Sequence, residues 1–510
     1  MSKRSSRSQL AAFLLSLAGV LGVVACQSSG CVVAEPHITL GDYFRLEQSG
    51  PDNNHLYTVG CTVTSECTTL PLLVLTGKDS RGTSLAEVQI NHFEKKDINL
   101  NISNSEYKKS GLFFRVTTDQ LNQGYSSWEL RLNGARVHTQ ETFPQKARAN
   151  DDNTRLFIIA DMDNTATAEP TWTKLDKIVP TEFDMIMHIG DFAYEIYDNG
   201  GKFGDEYFTR SSKSSRRIPF VMTPGNHENY ANGTLLNYRF RMPTAPDASN
   251  AMYDFVYKGV YFMFVTLDWV LSYEPWTNIE YAARERQLLA WIDSRAKLFN
   301  ARKDIKWKVF GSHRPFECSD RTASDCQTNM LFFRRIADKV AQVGFHFSIN
   351  AHIHSYVRNK VSHALEILPM SRIGKGAFMT VINGHAGTAY YYQTEASRAS
   401  LTGPLVETLD VSGPTFLQLE LSSTSIVGKL TRSDNGEVRD TFSITEGGIN
   451  QKPDSSGSPW LFISVVVVGS IILLGAVVLI WAKREALGFK SVKGYTTPTE
   501  SDIENSHSSI

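Results

Sequence analysis

The chain has 510 residues, of which 42% are hydrophobic and 21% charged, a balance that excludes a disordered chain and leaves room for two folded domains with appendages. A formal net charge of -1 gives no basis for a nucleic-acid partner. The six cysteines suit an oxidising compartment if they pair.

Lys3, Arg4 and Arg7 precede an apolar stretch from Leu10 to Val24 and then small residues around Ala25, the pattern of a secretory signal over residues 1–25. Residues 32–148 carry β character. Runs such as Leu112 to Val116, Trp128 to Leu132 and Ala135 to His138 are separated by turn formers, which predicts an all-β sandwich of the Ig or fibronectin kind. The cysteines fall in near-neighbour couples, Cys26/Cys31, Cys61/Cys67 and Cys318/Cys326, and local pairing is the expectation, one of 15 possible connectivities. Asn101-Ile102-Ser103 and Asn232-Gly233-Thr234 are sequons suited to glycans in that compartment.

Residues 153–448 hold five short polar blocks: Asp161-Met162-Asp163, Gly190-Asp191-Phe192-Ala193-Tyr194, Gly225-Asn226-His227-Glu228, His313, and Ala351-His352-Ile353-His354. Each follows an apolar run that reads as a buried strand: Leu156 to Ile159, Met185 to Ile189, Pro219 to Met222, Trp307 to Phe310, and Val343 to Ile349. Loops beyond the carboxyl ends of strands in an open α/β sheet converge on one crevice, so residues distant in sequence can meet there. Carboxylates, a phenol, an amide and imidazoles together suffice for two metal ions and metal-assisted hydrolysis of a phosphate ester. Gly190, Gly200, Gly204 and Gly225 suit tight turns in such loops.

In these blocks the chain resembles the metallophosphoesterases and, within them, the purple acid phosphatases, whose pattern is Asp-x-Gly, Gly-Asp-x-x-Tyr, Gly-Asn-His-Glu, a lone His and Gly-His-x-His. The likeness runs from about Arg155 to Gly387, and His313-Arg314-Pro315-Phe316 with Cys318 and Ser319 looks like the animal-type, high-molecular-weight members. The resemblance implies a four-layer fold, two mixed sheets flanked by helices, behind the β-sandwich domain. It makes Asp161, Tyr194 and His354 ligands of a first metal, Asn226, His313 and His352 ligands of a second, and Asp191 the bridge. A phenol titrates at about 10, so Tyr194 implies a strongly Lewis-acidic Fe(III), whereas the second set suits Zn, Fe(II) or Mn. Hydroxide generated on the metals would attack phosphorus, with His227 placed to protonate the leaving oxygen.

Two departures from that pattern stand out. Asp163 replaces the usual Gly, which makes Asp161 to Thr165 match the Asp-x-Asp-x-Thr opening of haloacid-dehalogenase phosphatases; the four ordered downstream blocks argue against that mechanism. Asp163 itself reads as a solvated loop carboxylate or, more pointedly, as a charge that lowers the first metal's reduction potential. Ala351 replaces Gly, and Val357 stands where Glu is common, changes expected to alter packing and reshape the pocket edge while activity survives. His188 reads as a packed residue, His385 as a turn residue, and the run Arg210 to Arg217 as a solvated helix end or loop.

Beyond Gly387, Phe416 to Leu421, Ile426 to Leu430 and Thr441 to Ile444 read as closing strands, with Asn435-Gly436 as a hairpin turn. A Ser-rich stalk, 449–459, leads to Leu461 to Ala482, an uncharged apolar run flanked by Trp460 and Trp481 and long enough to span a bilayer. Lys483, Arg484, Lys490 and Lys493 follow, which orients the tail, 483–510, to the cytoplasm and the catalytic part to the lumen or exterior, at the cell surface or in the endolysosomal system. The expected protein is a membrane-anchored acid phosphatase acting on phosphate monoesters. Its rivals are a phosphodiesterase or pyrophosphatase on the same site, and an inactive surface receptor with a phosphatase-like ectodomain.

Overall fold

The computed structural model describes residues 30–46, 55–144, 152–229, 233–243, 250–271, 278–316, 330–363, 366–388, 401 and 403–445. The signal segment, Asn232, Cys318, Cys326, the stalk, the 461–482 run and the tail lie outside them. Among the described residues no helix is long and apolar enough to cross a membrane.

Residues 33–142 form two antiparallel sheets. One orders its strands Val33–Leu40, His55–Thr64, Ser105–Thr117 and Phe93–Ile102; the other orders Val88–Ile90, Leu72–Gly77, Tyr125–Leu132 and Ala135–Arg136, with Glu141–Thr142 also paired to Tyr125–Leu132. Alternation explains the pairing: Val59, Cys61 and Val63 from the first sheet and Leu73, Leu75, Trp128 and Leu130 from the second are buried in one shared apolar cluster. The disulfide is not between near neighbours. Cys31 joins Cys67, and Cys61 is a buried free thiol. Cys61 sits in a strand whose alternation turns it into the core, away from Cys67.

Two mixed sheets follow. The first orders Phe220–Thr223, Met185–Ile189, Thr154–Ile159, Thr415–Leu421, Ser425–Arg432 and Val438–Thr445; its first three strands run parallel and the rest antiparallel. The second orders Met252–Tyr257, Val260–Val265, Trp307–Gly311, Phe347–Asn350, Met379–Asn383, Tyr356–Asn359 and Val406–Asp410, with a parallel centre. Period-two alternation splits the second sheet between two cores. Phe262, Phe264, Val309 and Phe347 share a cluster with Leu156, Ile158 and Leu417 of the first sheet. Tyr261, Met263, Val265 and Phe310 face the other way, onto Leu288, Ile292, Ile336 and Val340 of the helices Asn278–Ala301 and Met330–Val343.

Two sequence expectations need correction here. Val343 closes the helix Met330–Val343 instead of starting a strand, because Gly344 at φ +88° takes the left-handed conformation that ends helices and the strand begins only at Phe347. Gly204 lies inside the helix Lys202–Ser215, where its missing side chain admits the Ile196 carbonyl; a Cβ there would lie 2.6 Å from that oxygen. The basic run ends this same helix, with Arg210 paired to Glu169, Lys213 to Asp176 and Arg216 to Glu141.

Candidate metal centre

All five blocks fall just past the carboxyl ends of parallel strands, and the topology brings them together. Two sets of ligand atoms each lie within 4.8 Å of one another: Asp161, Asp191 and His354 in one, Asp191, His313 and His352 in the other. They share Asp191.

Around the first set, the Tyr194 hydroxyl is 3.0 Å from Asp161 Oδ1 and 3.1 Å from His354 Nε2. Asp161 Oδ2 accepts the His352 backbone N–H at 3.0 Å, which leaves Oδ1 turned toward Tyr194 and His354. Around the second set, His313 Nε2 is 3.1 Å from both Asp191 Oδ2 and Asn226 Oδ1. Its Nδ1 donates to the Ile189 carbonyl at 2.8 Å, which fixes the ring with Nε2 facing the cluster. Arg314, buried and paired to Asp268, reaches His352 Nε2 at 3.1 Å.

The loops are conformationally demanding. Asp161, Asp191 and His352 have φ of 52°, 50° and 70°, in the left-handed region that costs non-glycine residues energy. Asp163 is there too, at 66°, which explains why Gly suits this position. Asp163 is not the solvated carboxylate expected: it is 8% exposed, and its Oδ1 accepts the neighbouring Asn164 N–H. Gly225 permits the closest approach, since a Cβ there would stand 2.1 Å from Asp191 Oδ1.

Electrostatics reflect the crowding. Burial alone would lower His313, yet the Asp191 and Asp161 carboxylates lift it to about 10. Burial works against Asp191 ionising, but His313, His227 and His352 hold it well below the ordinary carboxylate range. Burial, with the Asp161 and Asp191 charges, keeps the Tyr194 phenol well above its usual value. Two almost completely buried carboxylates, a phenol and imidazoles at these separations form a donor set that suits cations, because a bound cation would take over the charge balance that protonated histidine otherwise supplies.

Three supporting residues were not assigned roles from sequence. Glu228, fully buried, accepts the backbone N–H groups of Asp191, Phe192 and Gly225 at 2.9, 2.9 and 2.8 Å, and so ties two ligand loops together. Thr388 donates its backbone N–H to the Asp161 carbonyl at 2.9 Å. Glu195 contacts His227 Nδ1. A carboxylate at the third position of Asn226–Glu228 was the available signal for Glu228; the other two depend on loop geometry. His188 packs as expected, stacked on Phe192 with ring centroids 4.0 Å apart and bonded to the Tyr207 hydroxyl at 2.8 Å. His385 lies outside helix and strand just after Met379–Asn383, and it is completely buried.

Comparisons with known proteins agree with this geometry. Residues 154–356 match the calcineurin-like phosphoesterase family. Acid phosphatase type 7 of Danio rerio is 26% identical over 187 residues, covering 34% of this chain and 42% of that protein. The Homo sapiens protein of the same name is 25% identical over 187 residues, covering 34% and 41%. The aligned region thus spans less than half the length of these relatives. Purple acid phosphatase PPD1 from yellow lupin (Lupinus luteus) seeds shares the fold at a TM-score of 0.57 and 14% identity, covering 84% of this chain and 78% of that one. PhoD does so at 0.52 and 9%, covering 83% and 94%. The chain therefore carries a calcineurin-like phosphoesterase domain over residues 154–356, within a fold that it shares with purple acid phosphatase PPD1.

Proposed function

We propose that the protein is an acid phosphatase that hydrolyses phosphate monoesters at a binuclear metal centre. The observation that carries this reading is the pair of donor sets sharing Asp191, with a phenol on one of them. Asp161, Tyr194 and His354 would hold Fe(III), and Asn226, His313 and His352 a divalent Zn, Fe or Mn, with Asp191 common to both. When bound, such a pair supplies Lewis acidity, neutralises charge on the phosphate oxygens and activates water. Ferric iron fits the first position because only a strong Lewis acid would draw the proton from a phenol held above its ordinary range.

The chain's own residues do the rest. Glu228 fixes the spacing of the Asp191 and Gly225 loops. His227, whose backbone N–H donates to Asp191 Oδ1 at 3.1 Å, sits at the half-open side of the centre and delivers a proton to the leaving oxygen. The Cys31–Cys67 disulfide supports passage through an oxidising compartment. With 461–482 as a single span, the catalytic part would face the lumen or the exterior.

A substrate panel on the full-length protein, purified without chelator, tests the reading. Expected results are two metals per chain, a visible tyrosinate-to-iron absorption band lost in Tyr194→Phe, and acid hydrolysis of an aryl phosphate monoester in preference to a bis-aryl diester or pyrophosphate. A preference for diester would make it a phosphodiesterase; metal-free protein without turnover would make it a receptor.

A further inference from the structure

The outward face of the first mixed sheet carries a groove that the metal chemistry leaves unused. Arg155, Glu420 and Val427 sit side by side on the strands Thr154–Ile159, Thr415–Leu421 and Ser425–Arg432, and Phe157, Gln418 and Lys429 form the next row on the same face. The helix Glu169–Lys177 and the turn after it wall these rows, and the space enclosed is about 730 Å³, in the range of small-molecule sites. Arg155 lies at the start of a strand whose far end leads into Asp161, so the groove is displaced toward the end of the sheet remote from the metal ligands.

Floor and rim differ in character. Phe157 stacks on Phe416 with centroids 4.6 Å apart and meets Phe183 edge-on at 5.4 Å, so the floor is aromatic and closely packed. Val427, 45% exposed, extends that apolar surface outward. At the rim, Arg155 is paired with Glu420 at 3.3 Å, which leaves Lys174, Lys177 and Lys429 against the single carboxylate of Glu182. None of these three ammonium groups has a hydrogen bond or ion pair among the described residues, and Lys177 and Lys429 are exposed. An apolar trough with surplus positive charge at its edge is complementary to a molecule with an anionic head and an apolar tail: the lysine stems cover the tail while their ammonium groups reach the head. Walls on two sides admit one chain, whereas contact with a bilayer would need the apolar residues to protrude.

We propose that this groove binds a single-chain anionic lipid, with its tail on the Phe157 and Phe416 floor beside Val427 and its head among Lys174, Lys177 and Lys429. The site is separate from the metal centre and does not depend on the phosphatase reading. A decyl sulfate carrying a diazirine at the tail end tests it on the full-length protein in phosphatidylcholine nanodiscs, with empty nanodiscs as the blank; the sulfate is not a phosphate ester and survives any phosphatase activity. Labelling should saturate, and the labelled peptides should come from residues 174–183 and 416–429. Unlabelled alkyl sulfates should compete, each two added methylenes strengthening competition by about 5- to 15-fold, from the roughly fourfold that one fully buried methylene contributes. Methyl sulfate should not compete, and decanol should be at least about 10-fold weaker than decyl sulfate. Replacing Lys174, Lys177 and Lys429 together by Gln should raise half-saturation by at least about 10-fold, with the circular dichroism spectrum unchanged; should that variant fail to fold, Lys429→Gln alone, expected at about 2- to 3-fold, reads the same contact. Labelling without saturation or on other segments, competition by methyl sulfate equal to that by decyl sulfate, or half-saturation unmoved in the lysine variants would each overturn the proposal. Labelling that requires anionic phospholipid in the nanodisc would make the groove a membrane contact and overturn it as well.

Discussion

Two histidines of the N-terminal sheet region should make this fold sensitive to the acidity in which it is proposed to work. His37 is 2% exposed; its Nδ1 donates to the Glu35 carbonyl at 2.9 Å, and its Nε2 is pressed against Gly60, where a Cβ would lie 2.2 Å from that nitrogen. Nε2 is buried without a hydrogen-bond partner among the described residues, and burial lowers the ring to about 4. His138 is held at about 4 chiefly by burial as well, and its Nε2 accepts the Leu130 N–H at 3.1 Å, a bond that protonation would break. In the unfolded chain both titrate near about 6.5. The unfolded state therefore binds more protons, so stability is complete above about pH 6.5, falls as the pH drops toward 4, and levels off below that. At pH 5 the difference of about 1.5 pH units from the unfolded value amounts to roughly 2 kcal/mol for each ring. That is a large share of the roughly 5–15 kcal/mol that keeps a typical domain folded. His37→Phe preserves the aromatic contact with Phe240, now at a centroid distance of 4.6 Å, and removes the titration. Urea unfolding at pH 7 and pH 5 should show the variant losing about 2 kcal/mol less than wild type between the two pH values, whatever its stability at pH 7. An identical loss in the two proteins would refute the reasoning.

Three further substitutions probe the site and its support. Gly225→Ala puts a methyl on Asp191 Oδ1 and should displace the shared carboxylate, lowering turnover by at least about 100-fold and metal content below two, while the circular dichroism spectrum stays native. Glu228→Ala strands three buried N–H groups; a loss of about 2–4 kcal/mol in urea unfolding is expected, together with weaker metal retention measured by dialysis. Arg239→Met removes the guanidinium that pairs with buried Glu35 and with Asp205. Because it leaves a carboxylate buried between the strand Val33–Leu40 and the helix Lys202–Ser215, it should cost about 3–5 kcal/mol, with kcat on the folded fraction unchanged.

The ligand blocks were legible because each lies beyond an apolar strand, and strand polarity alone carries Asp161, Asp191, Asn226, His313, His352 and His354 to one edge. What was not legible depends on three-dimensional closure. Nothing in the spacing of Cys61 and Cys67 tells that strand alternation turns Cys61 inward and leaves Cys67 to meet Cys31, 36 residues away. The apolar run from Val343 onward looks continuous until Gly344 takes a positive φ and divides helix from strand. Asp163 reads as exposed because it is charged and lies in a loop, yet its left-handed backbone is tied to the Phe192 carbonyl and its side chain is covered. Glu195 and Glu228 have roles only once the loops they brace are folded over one another.

The most direct test of the central claim, that Asp191 is common to two cation sites, is metal stoichiometry together with aryl phosphate turnover for full-length wild type and Asp191→Asn. Two metals per chain in the wild type, fewer than two in the variant and turnover reduced by at least about 1,000-fold are the predicted results. A variant that keeps both metals and most of its activity would contradict the account.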